Sequence, residues 1–122
     1  HGEPNATNAH PHHNFHQSIA VVHNGIIENY EQIRRELQSK RYIFMTETDT
    51  EVIPQLLDYL IRKGGKDDFE VMKEVISRME GRFAFLVLME SRPDRLFFCK
   101  NGSPLVYGRA EGEGFLVSDS SA

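Results

Sequence analysis

The hydrophobic period of this chain changes along its length, and that change limits the fold more than any other feature. Apolar residues recur at helical spacing over residues 29–80. From Arg82 onward, short apolar and β-branched runs alternate with Pro-Asp, Asn-Gly-Ser-Pro and Gly-Glu-Gly turns, a pattern typical of strands. Helices followed by strands, without strict βαβ alternation, predict an α+β fold.

The same patterns predict the position of each element. Three helices are expected: one at about 29–40 with Asn29 as N-cap, one from Val52 that ends before Gly64, and one that begins at Asp67 or Asp68 and stops at Gly81. Strands are expected at residues 18–23, 42–45, 82–89, 94–100, 104–109 and 114–118. The run at 82–89 is apolar on both faces, which implies a sheet that is covered on each side.

Composition excludes several classes of protein. A chain of 122 residues has room for one hydrophobic core. Its net charge of −4 provides no basic surface for nucleic acid or an anionic membrane, and its longest apolar run is far too short to span a bilayer. The single Cys cannot form an internal disulfide, which favours a reducing compartment such as the cytoplasm.

All six His residues lie within the first 23 positions. His10, His12, His13 and His16 are close enough in sequence to suggest a Zn or Ni site in a small non-enzymatic binding module. Pro11 interrupts the segment, however, so it does not place two His on one helical face. A loop in which these rings make structural hydrogen bonds is the favoured interpretation, and no metal is expected.

Asn24 and Gly25 end the first predicted strand, and this pair has two interpretations. An Asn-Gly pair tolerates positive φ, so the more common interpretation is a tight turn. The other is an oxyanion hole, because a carboxamide NH2 and a glycine backbone N–H can converge on one oxygen atom. Spacing alone does not choose between them.

The segment 46–51 precedes the second predicted helix and contains three carboxylates in five residues. Hydroxyls and carboxylates there are typical of a helix N-terminus. Because three carboxylates exceed what a cap requires, one of them could face a pocket and bind a ligand ammonium group. Cys99 lies between Phe98 and Lys100 and is expected to be a small core residue, without local signs of thiolate activation.

Six blocks of sequence, in order along the whole chain, resemble the class II (N-terminal-nucleophile) glutamine amidotransferase domain of glucosamine-6-phosphate synthase, also called glutamine–fructose-6-phosphate aminotransferase (isomerizing). The blocks are His-Gly-Glu-Pro at 1–4, Asn-Ala-His-Pro-His at 8–12, Val-Val-His-Asn-Gly-Ile-Ile-Glu-Asn at 21–29, Glu-Thr-Asp-Thr-Glu-Val at 47–52, Gly-Ser-Pro-Leu-Val at 102–106 and Ser-Asp at 118–119. Residues 1–122 are therefore expected to be a partial glutaminase domain.

The resemblance implies an Ntn-hydrolase-like, four-layer αββα sandwich, incomplete at its N-terminal side, that releases ammonia from glutamine. Asn24 and Gly25 match the oxyanion-hole pair, through a side-chain amide and a backbone N–H respectively. Asp49 matches the carboxylate that receives the α-ammonium of glutamine. His1 matches a His near the α-carboxylate of the substrate.

The resemblance also implies partners and a missing component. Neither the nucleophilic Cys nor the Arg that clamps the substrate carboxylate is among these residues, so the chain by itself is expected to be inactive. The expected partners are glutamine, fructose 6-phosphate bound by a separate synthase domain, and further copies in a homo-oligomer; no cofactor is expected. Related amidotransferases, such as phosphoribosylpyrophosphate amidotransferase, remain alternatives.

Overall fold

The computed structural model describes residues 11–101 in full and the backbone of residues 103–110 and 114–119. Over these residues the chain forms one antiparallel sheet in which the strands lie in sequence order. The strands are β1 (His12–His13), β2 (Ile19–Ile27), β3 (Gly81–Met89), β4 (Arg92–Lys100), β5 (Ser103–Ala110) and β6 (Gly114–Asp119). The helices are α1 (Tyr30–Ser39), α2 (Val52–Lys63) and α3 (Asp68–Arg78), all inserted between β2 and β3.

The helices cover one face of the sheet. Helix α2 packs between α1 and α3 and against β2. Its apolar side chains pack with inward-facing residues of the central strands, and this core includes Val21, Leu56, Phe85 and Phe97, each at most 1% exposed. Burying apolar surface of this kind is the main stabilising contribution to such a fold.

The opposite face of the sheet is open in the described part of the chain. Burial alternates along β3, because successive side chains of a strand point to opposite faces. Phe85 and Val87 are buried under the helices, whereas Leu88 is 53% exposed on the other face. The prediction of a sheet covered on each side is therefore not met within these residues.

The predicted end of the first strand is wrong. The strand does not stop before Asn24 but continues to Ile27, and Asn24 and Gly25 pair with Ala84 and Phe83 of β3. Tertiary pairing thus overrides the local turn preference of an Asn-Gly pair. Gly25 nevertheless has the positive φ that the pair suggested, at 109°.

Two other boundaries also differ. Residues 42–45 form no strand, because the Met45 N–H bonds the side chain of Glu51 instead of a neighbouring strand. Helix α3 ends at Arg78, and Gly81 is the first residue of β3 rather than the stop of the helix.

The helix signals are otherwise confirmed. Asp67 caps α3 in a reciprocal capping box with Glu70, and Gly64 ends α2 with φ 78°. Asn29 is the residue before α1 but does not cap it with its side chain. Instead, its carboxamide donates to the Arg78 carbonyl and accepts from the Glu80 N–H, which ties the start of α1 to the end of α3.

The α+β class is confirmed, and the described residues form two layers, one helical and one sheet. No helix within residues 11–101 is long and apolar enough to cross a membrane.

Candidate active site

An open groove of about 740 Å³ lies at the C-terminal end of β2. Its walls come from β2, from the start of β3 and from the end of β4: Asn24, Gly25, Gly81, Arg82, Phe83, Ala84, Lys100 and Asn101. Both residues of the predicted oxyanion pair therefore line one concave surface. Asn24 is exposed there, on the sheet face away from the helices.

Gly25 is required by the close approach of two backbones. A Cβ atom at this position would lie 2.2 Å from the Arg82 carbonyl oxygen and 2.9 Å from the Phe83 Cα. The φ of 109° would be strained for any residue with a side chain. Glycine is thus needed where β2 and β3 approach closely, at the position where the backbone N–H is expected to act.

Asn101 supports the floor of this groove. Its side chain accepts from the Phe83 N–H at 2.9 Å and donates to the Gly81 carbonyl at 2.7 Å. These two bonds continue the pairing of β3 beyond Lys100, where β4 ends. The Asn101 side chain therefore holds the start of β3, which lies beside Gly25, at the point where the pairing of β3 with β4 ends.

Asp49 reaches β2 from the loop before α2. It is only 5% exposed, and its Oδ2 accepts from the Ile27 N–H at 2.9 Å. Ile27 follows Gly25 by two positions, a separation of about 7 Å along a strand. Asp49 thus bonds β2 two positions beyond the predicted oxyanion pair.

The other two carboxylates of this loop have different surroundings. Glu51 is buried and accepts from the backbone N–H groups of Met45 and Thr46 and from the Thr46 hydroxyl. It therefore stabilises the loop itself. Glu47 is exposed. Asp49 is thus the buried carboxylate that bonds the strand carrying Asn24 and Gly25.

Two buried histidines contact the hydroxyls on either side of Asp49. The Nε2 of His12 lies 2.8 Å from the Thr48 hydroxyl, and the Nδ1 of His23 lies 2.9 Å from the Thr50 hydroxyl. Sequence reasoning missed both contacts, because the paired residues are 36 and 27 positions apart. The only available signal was that both His and both Thr belong to the blocks that carry the resemblance.

The proposed His-rich metal site finds no support in the described residues. His12 bonds Thr48, while His16 is exposed and contacts Phe15 edge to face. Within residues 11–101, no group of three or more His, Cys, Asp or Glu is arranged to hold a metal ion. His10 and His1 lie outside the described residues.

A third buried carboxylate, Asp58, organises the other end of β2. It accepts from Asn14, from the Tyr42 hydroxyl at 2.8 Å and from Arg62. Burial, together with the bond to this carboxylate, raises the pKa of Tyr42 well above its ordinary value. Because Asn14 also accepts from the Ile19 N–H, this cluster positions the start of the strand.

Cys99 is fully buried in β4, as expected of a core residue. Burial raises the pKa of its thiol to about 12. At pH 8 the thiolate fraction is then only about one part in 10⁴, and the thiolate is the reactive form.

We expect maleimide to leave Cys99 unmodified in the native intact protein and to label it after denaturation, as read by mass spectrometry of its peptide. Labelling of the native protein at the rate of a free thiol would contradict this assignment.

The fold agrees with the comparison to known families. Residues 4–122 match the family described as a glutamine amidotransferase domain, and the chain belongs to that family. It is similar to proteins named glutamine–fructose-6-phosphate aminotransferase (isomerizing), with 44% identity to that of Sulfurisphaera tokodaii, 47% to that of Clostridium tetani and 44% to that of Escherichia coli K12. Each alignment covers 100% of this chain and 20% of the relative, so the chain spans about a fifth of the length of the curated relatives it matches.

Solved structures support the same fold. One is the glutamine phosphoribosylpyrophosphate amidotransferase from B. subtilis complexed with ADP and GMP, with a TM-score of 0.57 and 27% identity over 81% of this chain and 21% of that chain. Another is described as the allosteric regulatory enzyme of purine biosynthesis, with a TM-score of 0.55 and 31% identity over 81% of this chain and 20% of that one. The expectation of an Ntn-type amidotransferase fold is thereby confirmed.

Proposed function

We propose that the intact protein containing this chain hydrolyses glutamine and transfers the ammonia to fructose 6-phosphate, forming glucosamine 6-phosphate. The observation that carries the proposal is the placement of Asp49 against the strand that holds Asn24 and Gly25. The comparisons support this choice of acceptor: identity to the aminotransferases is 44–47% over the whole chain, against 27% and 31% over 81% of the chain for the two solved structures.

In this proposal, Asn24 and Gly25 stabilise the oxyanion. Attack on the side-chain amide of glutamine turns its carbonyl oxygen into an oxyanion. The Asn24 side-chain NH2 and the Gly25 N–H donate to that oxygen, and the backbone that carries both is held in place in advance because it belongs to a paired strand. Donors that are already oriented need no reorganisation when the charge develops.

Asp49 receives the α-ammonium of the same glutamine. A carboxylate has about four acceptor positions, and the Ile27 N–H occupies one of them. The ammonium nitrogen and the amide carbon of an extended glutamine lie roughly 5 Å apart by standard bond lengths. The Cα atoms of Gly25 and of Ile27, whose N–H bonds Asp49, lie ~7 Å apart along β2, a span of the same order.

By the resemblance, the nucleophile is a Cys, and the only thiol among these 122 residues is the buried Cys99; the proposal therefore assigns the nucleophile to a residue outside them. His1 is proposed to lie near the α-carboxylate of glutamine, on the resemblance alone. By the same resemblance, we propose a homo-oligomer that acts in the cytoplasm.

The proposal is tested on the intact protein by measuring ammonia and glutamate released from glutamine, with and without fructose 6-phosphate, and by detecting glucosamine 6-phosphate. We expect glutamine-dependent formation of the amino sugar phosphate. A protein that releases no glutamate would overturn the glutaminase assignment. One that releases glutamate but aminates a different acceptor would overturn only the choice of acceptor.

Replacing Asp49 with asparagine should weaken substrate binding more than catalysis. The variant keeps an oxygen for the Ile27 N–H but loses the charge that meets the ammonium in both the ground state and the transition state. We expect kcat/KM for glutamine to fall about 10- to 100-fold, mainly through KM, because a hydrogen bond to a charged group is lost.

Glu47→Gln is the matched control for this variant. It removes the same charge from the same loop, but at an exposed side chain. We expect its KM to stay close to that of the parent protein. An equal rise of KM in both variants would mean that the net charge of the loop, rather than Asp49, attracts glutamine.

A further inference from the structure

Three consecutive residues of the loop before α2 bond to the first two strands of the sheet. The Thr48 hydroxyl pairs with the His12 ring of β1, and the Thr50 hydroxyl pairs with the His23 ring of β2. Between them, Asp49 accepts from the Ile27 N–H. The loop is thus attached to the strands at every one of these three positions.

These attachments surround the predicted oxyanion pair. His23 immediately precedes Asn24, and Ile27 follows Gly25 by two positions. Bonds from one loop therefore reach β2 on both sides of the pair. A shift of the loop relative to β2 would have to break contacts at both ends of this short stretch.

The shortness of β1 explains why a loop occupies this edge. Within the described residues, β1 pairs with β2 only at His12↔Val21 and His13↔Ala20. The outer edge of β2 beyond Val21 would otherwise leave backbone donors without partners. The loop satisfies the Ile27 N–H with a carboxylate instead of a carbonyl, so a negative charge is placed where a strand would supply none.

All of the side chains involved are buried. Thr48 and Asp49 are each 5% exposed, Thr50 is 3% exposed, and both rings are at most 6% exposed. Water therefore has little access to replace a lost hydroxyl. The contribution of each hydrogen bond to the position of the loop would then be lost in full. With either hydroxyl removed, Asp49 would depend more heavily on its bond to Ile27.

We propose that Thr48 and Thr50 are positioning residues that hold Asp49 at a fixed distance from Asn24 and Gly25. This inference rests on the proposed function, because a fixed distance matters only where Asp49 and the pair bind the same glutamine. The site then recognises the α-ammonium and the side-chain amide of the same glutamine molecule simultaneously. The two threonines act through Asp49 and do not touch the substrate.

The test uses the intact protein and two substrates, glutamine and 4-carbamoylbutanoate, which is the same chain without the α-ammonium. Thr50→Val removes the hydroxyl while keeping the shape of the side chain. We expect kcat/KM for glutamine to fall about five- to tenfold, mainly through KM, since about one hydrogen bond is lost. The value for 4-carbamoylbutanoate, or its inhibition constant against glutamine where turnover is slow, should not change.

Three further variants make the result specific. Thr50→Ser restores the hydroxyl and should recover most of the preference for glutamine. Thr48→Val should repeat the effect at the other attachment. Ser77→Ala removes a hydroxyl that is exposed on α3 and donates to the Glu74 carbonyl at 2.7 Å, away from the loop before α2. The preference between substrates should therefore stay unchanged in Ser77→Ala.

The outcomes separate this inference from the proposed function. If Asp49→Asn lowers the preference for glutamine and both valine variants leave it unchanged, the positioning role is wrong and the role of Asp49 stands. If Asp49→Asn itself leaves the preference unchanged, the ammonium site of the proposed function is wrong. Equal losses for both substrates in Thr48→Val and Thr50→Val would also overturn positioning, because they would indicate a general loss of structure.

Discussion

Replacing Asn24 with alanine in the intact protein is expected to lower kcat for glutamine hydrolysis by about 10²–10³ and to leave KM for glutamine nearly unchanged. The reason is that the oxyanion exists only in the transition state, so a donor to it contributes little to binding of the substrate. Steady-state kinetics of ammonia release provide the measurement.

The structure also indicates that this variant folds. Asn24 is exposed on the open face of the sheet, and its place in the ladder with Ala84 depends on backbone atoms that alanine retains. The thermal midpoint should therefore stay close to that of the parent protein. An Asn24→Ala protein with a raised KM and an unchanged kcat would contradict the oxyanion role.

Replacing Gly25 with alanine should open the junction of β2 and β3. The added methyl group would lie 2.2 Å from the Arg82 carbonyl oxygen, and φ would remain at a strained 109°. Backbone strain and overpacking each cost about 1–3 kcal/mol, so we expect the local free energy of opening to fall by about 2–6 kcal/mol. Hydrogen exchange of the β2 and β3 amides in the intact protein measures this directly.

Gly64→Ala is the matched control for Gly25→Ala. Gly64 also has a positive φ, at 78°, but within the described part of the chain a methyl group at this position would point into open space, with no packed neighbour within 4 Å. The cost there should be only the backbone preference, about 1–3 kcal/mol, confined to the end of α2. Similar losses in both variants would show that the close approach of β2 and β3 is not what requires glycine at position 25.

Local signals in the sequence were sufficient for the helices. The capping box of Asp67 and Glu70 and the glycine after α2 act within one turn of the chain, so their effect can be read without knowing the rest of the fold. The strands of the second half were predicted for the same reason, since alternation and turns are local patterns. Cys99 was predicted correctly because a small apolar residue that follows two aromatic residues of a strand belongs in a core.

The Asn-Gly pair shows where local reasoning fails. An isolated Asn24-Gly25 favours a turn, yet pairing with β3, which follows all three helices in the chain, keeps the strand extended to Ile27. Long-range pairing decides such cases because the ladder bonds of two strands together outweigh the preference of one dipeptide. The same pairing creates the groove that Asn24 and Gly25 line.

The sequence by itself determined the α+β class, the helices and most of their ends, most strands, and, through its resemblance, the residues to examine. Only the tertiary structure distinguished Asp49 from Glu47 and Glu51, which share one short segment and differ in what each carboxylate meets. It also paired the two histidines with Thr48 and Thr50. The physical reason is that hydrogen bonds between distant segments depend on how the elements pack, and no local pattern encodes that packing.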